Sequence, residues 1–259
     1  MDLHIAGRKA IVCASSQGLG KACALALSQE GVYVFINSWH MDSLRATAEE
    51  IQRITGQPVT PVQADITTEA GRAALVAACP DADILINNNA GPPPGRLEDW
   101  DHAAWMGALE ANLLAGALLL RAVVPGMRAR RFGRIVNITS AMVKTPHAAM
   151  GLSTAARAGL TALSRAMARE VVVDNVTINL LLPERIDTPR QEFMAQRMMK
   201  QDGITLDEAR ARIVATIPAG RMGTPEEFGA ACAFLCGARA GYITGQNLQL
   251  DGGAYAGLV

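Results

Sequence analysis

Three side chains that could do chemistry stand close together in one stretch of the chain. Ser140 follows an apolar run, Arg134 to Ile138, that predicts a buried strand. Ser153 and Arg157 lie four residues apart in a later segment of small residues that predicts a helix, so they share one helix face. Two hydroxyls and a permanent cation could therefore face one pocket, where they would donate hydrogen bonds to polar atoms of a ligand.

The composition excludes several classes of function. Half of the 259 residues are hydrophobic, 19% are charged and the formal net charge is zero, which gives no electrostatic basis for binding nucleic acid or an anionic membrane. The five scattered cysteines suit a reducing compartment, and Cys232 and Cys236 are expected to be buried thiols. The four histidines do not have metal-ligand spacing, so no metal site is expected.

No segment has the pattern of a membrane span or a leader. Asp2 and His4 interrupt any signal-peptide pattern, and the run Leu113 to Leu120 is too short to span a bilayer, which needs about 20 residues. We therefore expect a soluble, cytoplasmic protein without a membrane partner.

Apolar strands alternate with helical patterns from one end of the chain to the other, and no linker or repeat divides it. This order is typical of a parallel sheet covered on both faces. We predict an α/β fold, a single Rossmann-type doubly wound sheet of about seven strands, in one domain over residues 1–259. The predicted strands cover about 9–14, 32–36, 59–64, 84–86, 134–138, 177–182 and 247–250. The predicted helices cover about 21–29, 42–54, 69–78, 100–130 with an interruption at Pro125, 151–172 and 225–235.

One segment differs from the rest. Residues 188–218 are polar and rich in methionine, including Met194, Met198 and Met199. Because ligands bind at the carboxyl ends of parallel strands, an insertion after a strand end predicts a substrate lid. A surface helix pair without a ligand role is the alternative, since methionines at helical spacing more often pack in a core.

A glycine turn follows the first strand and opens the first helix. Gly18 and Gly20 supply positions where the backbone must turn sharply and approach a pyrophosphate, while helix N–H groups point at the charge. The strand, turn, helix and strand that start the chain predict a dinucleotide-binding unit.

Together these segments resemble the short-chain dehydrogenase/reductase family, and within it the 3-oxoacyl-carrier-protein reductases. The resemblance implies that Ser140 hydrogen-bonds a substrate carbonyl and that Asn112 relays protons through water. That family carries Tyr-x-x-x-Lys on the helix, thirteen residues after the serine, whereas here the two positions are Ser153 and Arg157. Its phosphate loop begins with a glycine at the position of Ala14. The resemblance also implies a homodimer or homotetramer built on the long helices.

The resemblance also assigns a nicotinamide cofactor and the residues that would hold it. Asp65 matches an adenine-binding aspartate, and Ile186 and Thr188 match residues that contact the nicotinamide amide. Asn88 begins the literal match to the family's Asn-Asn-Ala-Gly turn, but counting from Asp83 of the strand favours a register that begins at Asn87. The expected cofactor residues are Ser15, Ser16, Gln17, Gly18, Leu19, Gly20, Asn37, Asp65, Ile66, Asn88, Asn89, Ala90, Arg157, Pro183, Ile186 and Thr188.

The choice between NADP and NAD rests on the end of the second strand. That strand ends without the acidic residue that would hold the ribose hydroxyls of NAD, which favours NADP slightly. Gln17 stands where the family often has a basic residue, and His40 or Arg45 could replace that residue.

The missing tyrosine leaves the chemistry open. A serine needs a partner base to ionise, and proton transfer by a positioned group contributes roughly 10²–10⁴-fold to a rate. His147 and Lys144 are substitute acids within the same segment. Three functions remain: an oxidoreductase acting on a ketone or secondary alcohol with an altered proton relay, a non-redox enzyme on the same fold, and a nucleotide-binding protein without turnover. The halohydrin dehalogenases, non-redox relatives with arginine at the lysine position, keep the tyrosine and lack the nucleotide loop, which is the opposite of this chain.

Overall fold

A parallel β-sheet forms the centre of the computed structural model, which describes residues 2–258. The strands in this range each precede a helix, except the last, and they confirm the predicted Rossmann-type fold. Their bounds are β1 Lys9–Val12, β2 Tyr33–Ser38, β3 Val59–Gln63, β4 Ile84–Asn87, β5 Gly133–Ile138, β6 Val176–Pro183 and β7 Asn247–Leu250. The helices are α1 Gly18–Gln29, α2 Met41–Thr55, α3 Glu69–Ala78, α4 His102–Leu109, α5 Ala115–Ala129, α6 Gly151–Val171, α7 Pro189–Asp202, α8 Leu206–Ala215 and α9 Pro225–Cys236.

The strand order is β3-β2-β1-β4-β5-β6-β7, and every pairing is parallel. The chain thus winds outward in both directions from β1 and β4, and a crevice opens between them at their carboxyl ends. Alternate residues of a strand bury themselves on opposite faces: Ile11 belongs to one apolar cluster and Val12 to the other. Burial on both faces explains why the strands read as continuous apolar runs.

The predicted long helix over 100–130 is divided differently from the prediction. It consists of α4, a π-helical turn at Glu110–Leu114, and α5. Pro125 lies inside α5, so the prediction that it interrupts the helix is wrong. A proline removes one N–H but does not forbid a helix whose other residues are held by packing. Leu119, Leu120 and Val124 provide that packing on one face of α5.

The joined helical segment His102–Ala129 is long and apolar enough to cross a membrane by length and composition alone. Buried residues make up 44% of its most apolar window, and core helices of soluble proteins meet the same criterion. The predicted absence of a membrane partner and the predicted cytoplasmic location stay predictions.

The segment after β6 folds into α7 and α8 with a small apolar cluster of its own. Ala195, Ala209 and Ile213 are its buried centre, and Met198 and Met199 pack against it. These two methionines therefore serve helix packing, as the alternative interpretation of this segment expected.

All five cysteines are buried and none forms a disulfide, which confirms buried thiols at Cys232 and Cys236. Burial raises the pKa of the Cys13 thiol to about 12, so this thiol stays protonated at neutral pH.

Candidate active site

The turn between β1 and α1 has the shape of a phosphate-binding loop. A Cβ atom on Gly20 would lie 2.3 Å from the carbonyl oxygen of Ala14, so only glycine fits where the turn doubles back. Gly18 has a φ of +57°, a conformation that glycine adopts without strain. Both predicted glycines are thus required by the backbone itself.

The first turn of α1 leaves its N–H groups without a side-chain acceptor. Gln17 is the N-cap residue and makes no capping hydrogen bond. In contrast, Thr68, Thr205 and Thr224 cap α3, α8 and α9 through their side chains. An uncapped N-terminus beside a glycine turn fits the diphosphate of a dinucleotide, because the free donors and the helix dipole both favour an anion.

Ala14 occupies a backbone conformation that disfavours its side chain. Its φ is +45°, in the left-handed region. Its carbonyl accepts a hydrogen bond from Nδ2 of Asn88 at 3.2 Å, which ties the loop to the end of β4. The alanine at this position therefore holds the loop shape at a cost in strain.

Several predicted cofactor residues direct their side chains into the protein. Ser15 Oγ donates to the carbonyl of Val12 at 2.7 Å and accepts from the Asn37 N–H at 2.9 Å. Asn37 Nδ2 donates to two carbonyls of the β3 edge, Val62 and Ala64. These two side chains hold β1, β2 and β3 together, so a cofactor would meet the loop through its backbone rather than through their polar groups.

Other predicted residues keep polar groups near the open edge. Ser16 Oγ donates to Ser38 Oγ at 3.3 Å. Leu19 is the apolar exception and packs against the core. Asp65 Oδ1 accepts from the backbone N–H and the hydroxyl of Thr67, at 2.9 and 2.7 Å, which fixes the turn after β3.

The asparagine run after β4 links the sheet to the long helix. Asn87 is the last residue of β4 and pairs with Asn137 of β5, and the choice between the two registers stays a prediction. Asn89 Nδ2 donates to the carbonyl of Ala111 at 3.2 Å, and the Ala90 carbonyl accepts from Asn112 Nδ2 at 3.3 Å. The loop thus packs directly on the π-helical turn.

Arg157 is the central polar group of the site. Its side chain is buried, at 8% exposure, and its Nε donates to Ser153 Oγ at 3.1 Å. Nη1 donates to the carbonyls of Ile138 and Thr139, at 3.0 and 2.7 Å, and Nη2 to that of Asn89 at 3.2 Å. Burial, together with the charge of Arg190, lowers the pKa of Arg157 to about 10, so the guanidinium is still charged at neutral pH.

The hydroxyl groups of Ser140 and Ser153 each accept one hydrogen bond within the protein. Ser140 Oγ accepts from the Met142 N–H at 3.2 Å, and Ser153 Oγ accepts from Arg157. Neither hydroxyl donates to another residue in the described part of the chain, 2–258. Each serine therefore has a hydrogen to offer to a ligand oxygen.

Asn112 lies in the π-helical turn, and such turns often occur at functional sites. It borders a cavity of about 20 Å³ that Asn87 and Arg157 also line. Within the described residues, the Oδ1 atoms of Asn87 and Asn112 are buried without a hydrogen-bond partner. A cavity of this size and polarity can hold one water molecule.

The segment after β6 closes the site from the other side. Ile186 is buried and pairs with Gly223, where a Cβ atom would lie 2.6 Å from Ile186 Cδ1. Thr188 begins α7 and approaches the phosphate loop, since it lies 3.9 Å from a Cβ built on Gly18. Of the two positions predicted to contact the nicotinamide amide, Thr188 is thus adjacent to the loop, and Ile186 packs against Gly223.

Glu184, next to Pro183, carries a half-buried carboxyl. Its Oε1 lies 3.1 Å from Nε of Arg185, and burial raises the pKa of this carboxyl despite that neighbour. His147, one of the two predicted substitute acids, accepts a hydrogen bond at Nδ1 from the backbone N–H of Ala149. Nζ of Lys144, the second substitute acid, lies 4.8 Å from the ring centre of Tyr255. The sequence did not indicate this contact, because the two residues are far apart in the chain.

The whole arrangement has counterparts among known proteins. The sequence model of a family described as "Enoyl-(Acyl carrier protein) reductase" matches residues 13–255. The chain belongs to the short-chain dehydrogenase/reductase family. Members of this family are NAD(P)-dependent oxidoreductases, in agreement with the enzyme class and cofactor class predicted above.

Individual relatives cover nearly all of the chain. The NADPH-dependent reductase BacG of Bacillus subtilis is 31% identical over 252 residues, which are 95% of this chain and 97% of BacG. The 3-oxoacyl-[acyl-carrier-protein] reductase FabG of Vibrio cholerae is 31% identical over 257 residues, which are 98% of this chain and 99% of FabG. L-sorbose reductase from Gluconobacter frateurii, solved with NADPH and L-sorbose, superimposes with a TM-score of 0.94 at 29% identity over 100% of both chains.

Proposed function

We propose that the protein is an NADPH-dependent reductase of a ketone, or the reverse dehydrogenase of a secondary alcohol, in which Ser140 and Asn112 act with Ser153 and Arg157, and the last two stand in place of the family's tyrosine and lysine. The observation that carries this proposal is the buried Arg157, which holds Ser153 and the carbonyls at the end of β5 in one rigid arrangement. A buried charge is costly unless it is hydrogen-bonded, and Arg157 meets this cost with bonds that end at the predicted catalytic residue Ser153 and at the strand end before Ser140.

The proposed cofactor is NADP rather than NAD. The diphosphate would bind at Gly18 and Gly20, where the uncapped α1 offers its N–H groups. The end of β2, from Asn37 to His40, contains no carboxylate that would repel a 2′-phosphate or bind a free 2′-hydroxyl. The NADPH-dependent relatives named above support the same choice.

In this proposal the bound nicotinamide supplies or accepts the hydride, and the protein handles the charge on the oxygen. Ser140 and Ser153 each donate a hydrogen bond to the substrate oxygen, because neither hydroxyl hydrogen is used within the described chain. The Arg157 cation polarises Ser153 through Nε and so favours negative charge on the neighbouring oxygen. The proton then comes from Ser153 or from a water that Ser153 holds.

The polar cavity behind the site offers a route for proton recovery. A water in it would reach the unpaired Oδ1 atoms of Asn87 and Asn112, and Arg157 lines the same space. We propose that this water connects the two asparagines and supplies the proton that the serine loses. His147 and Lys144 lie beyond Ser140 toward the solvent and are the alternative donors.

We further propose that α7 and α8, within residues 188–218 of a single domain, form a lid, and that the protein is a homodimer or homotetramer. Met106 on α4 and Leu114 on the π-helical turn are apolar side chains that are 45% and 37% exposed. Light scattering after gel filtration would measure the mass, and a monomer at all concentrations would contradict the oligomer.

Two serine variants test the proposed chemistry. Ser153→Ala and Ser140→Ala should each bind NADPH as the wild type does but lose turnover by roughly 10²–10⁴-fold, the usual contribution of a positioned proton donor. Thr154→Ala, next to Ser153 on α6, is the matched control and should retain turnover. Wild-type turnover in both serine variants, measured as NADPH oxidation with a panel of ketones, would contradict the proposal. Tight NADPH binding without turnover in the wild type would instead favour a nucleotide-binding protein.

A further inference from the structure

Three arginines donate hydrogen bonds to one loop, residues 89–94. Arg157, from α6, reaches the carbonyl of Asn89 at 3.2 Å. Arg190 and Arg197, both from α7, reach the carbonyls of Pro92 and Pro94, each at 3.1 Å. The two lid residues are seven positions apart, two turns of α7, and therefore share one face of the helix. We call Arg157, Arg190 and Arg197 the arginine cluster.

The arginine cluster carries positive charge that no carboxylate neutralises. None of the ion pairs formed within residues 2–258 includes any of its members. Arg210, on the neighbouring lid helix, is instead paired with Asp187 and Glu192 at 3.0 and 2.8 Å. Acidic residues are thus present near the lid, but Asp187 and Glu192 form ion pairs with Arg210 and not with the arginine cluster.

The cations of the cluster also repel one another. Burial is the larger cause of the lowered pKa of Arg157 and of Arg190. The charge of Arg190 lowers the pKa of Arg157 further, and the charge of Arg197 lowers the pKa of Arg190 further. Like charges held together without a counter-ion destabilise the folded protein, and a bound anion would remove this cost.

Arg190 has donors left for a ligand. A guanidinium offers five N–H groups in a planar fork that matches a carboxylate in a two-point contact, and Arg190 uses one group on Pro92. Its guanidinium also lies 5.5 Å from the ring centre of Phe193, whose side chain is 46% exposed. The lid therefore presents a cation and an apolar surface side by side.

We propose that the substrate is a carbonyl compound with a carboxylate group and an apolar body, and that Arg190 binds the carboxylate while Arg197 strengthens the local positive potential. This inference rests on the proposed function, because it places the reacting carbonyl at Ser140 and Ser153. The stretch of loop from Asn89, which Arg157 contacts, to Pro92, which Arg190 contacts, separates the reacting atoms from the carboxylate site.

The diphosphate of the cofactor is a second anion that could reach the same arginine. Pro189, the neighbour of Arg190, lies 4.0 Å from a Cβ built on Gly18 in the phosphate loop. The contact of Arg190 with the loop 89–94 favours the substrate, because Gly91 of that loop lies beside Ser153 and Arg157, with a Cβ built on it 3.5 Å from Ser153 Oγ. The residue before the loop, Asn88, contacts Ala14 of the phosphate loop. The test must nevertheless separate the two anions.

Binding of hexanoate and hexanamide compares a carboxylate with a neutral molecule of equal length. Calorimetry on the NADPH-loaded wild type, or on the free protein if NADPH does not bind, should give hexanoate the higher affinity. Arg190→Met should remove that preference, because it should lower the affinity for hexanoate by roughly tenfold or more and leave the affinity for hexanamide unchanged. A loss of this size is usual when a charged pair is broken. Arg212→Met, an exposed lid residue paired with Asp202, is the matched control and should leave the preference unchanged.

Turnover gives a second and separate readout. The wild type should reduce 3-oxohexanoate with a higher kcat/KM than its ethyl ester, and Arg190→Met should lower only the value for the acid. Equal binding of hexanoate and hexanamide, or a preference that survives Arg190→Met, would overturn the inference. A variant that loses NADPH affinity but retains the hexanoate preference would assign Arg190 to the cofactor and would also overturn it. Failure of the proposed function would give a different result: hexanoate would bind in a manner that depends on Arg190, but neither 3-oxohexanoate nor its ethyl ester would be reduced.

Discussion

Replacing Arg157 by lysine, the residue that the resemblance to the family implies at this position, should destabilise this protein. The arginine donates four hydrogen bonds from three nitrogens, to Ser153, Ile138, Thr139 and Asn89. Ile138 and Thr139 share the single atom Nη1, so a lysine ammonium at that point could retain both. The bonds to Ser153 and Asn89 come from the other two nitrogens of the fork and would be lost.

The size of the effect follows from these two bonds. Hydrogen bonds from a charged donor contribute about 1.5–3 kcal/mol each, and the partial exposure of Asn89 favours the lower end, so Arg157→Lys should lower the free energy of unfolding by about 3 kcal/mol. The wild-type charge has its own cost, because the fall of the Arg157 pKa from 12.5 to about 10 corresponds to about 3 kcal/mol. An ammonium is more strongly hydrated than a guanidinium, so lysine does not reduce this cost.

Urea unfolding at neutral pH is the appropriate assay. If the slope m, the dependence of the free energy of unfolding on urea concentration, is the same for wild type and variant, the difference in midpoint concentration reports the difference in stability. A loss of about 3 kcal/mol corresponds to a fall in Tm of roughly 6–12 °C for a chain of this size. Arg169→Lys, an exposed position in the last turn of the same helix, is the control and should change stability by less than about 0.5 kcal/mol. A stability of Arg157→Lys equal to that of the control would refute the assignment of these hydrogen bonds.

Three further changes test the loop and the charges. Ala14→Gly should stabilise the protein by about 0.5–1 kcal/mol, because relief of the left-handed strain (about 1–2 kcal/mol) exceeds the entropy that glycine gains in the unfolded chain, and urea midpoints would check this. Gly20→Ala should abolish dinucleotide binding, since the new Cβ would lie 2.3 Å from a backbone oxygen, whereas Gly107→Ala, with no atom within 4 Å, should retain binding, as measured by nicotinamide fluorescence. The Arg221 guanidinium lowers the pKa of Glu227 to about 2 from 4.5, so the stability that this carboxylate contributes is present above pH 4.5 and lost as the pH falls through about 2. The difference in Tm between wild type and Glu227→Gln should therefore shrink over that range, and a constant difference would contradict the linkage.

The sheet could be predicted from the sequence because parallel strands buried on both faces leave continuous apolar runs between helices. The bounds of β7 and α3 agree with the prediction, and the other strands shift by one or two residues at their ends. Pro125 was misjudged because tertiary packing of α5 outweighs the local effect of a proline.

The site could be predicted only where a residue type dictates its own environment. Gly18 and Gly20 were identifiable because their backbone conformation or close approach admits no side chain, and Ser153 and Arg157 because helical spacing puts them on one face. The internal hydrogen bonds of Ser15 and Asn37 could not be predicted, since they depend on which carbonyls of neighbouring strands lie within reach.

The arginine cluster left no recognisable pattern in the sequence. Arg190 and Arg197 lie in a polar helix with several other charges, and two turns of spacing between basic residues is common on any exposed helix. Only the fold brings both of them to the carbonyls of a proline-rich loop that precedes them by about a hundred residues. Long-range contacts of this kind depend on topology rather than on local sequence.

Titration of the wild-type protein with NADPH and with NADH, followed by nicotinamide fluorescence, tests the central claim most directly. We expect saturable binding of NADPH, weaker binding of NADH, and loss of NADPH binding in Gly20→Ala but not in Gly107→Ala. Absence of binding of either nucleotide to the folded wild type would contradict the account, and equal binding to both glycine variants would contradict the placement of the diphosphate on α1.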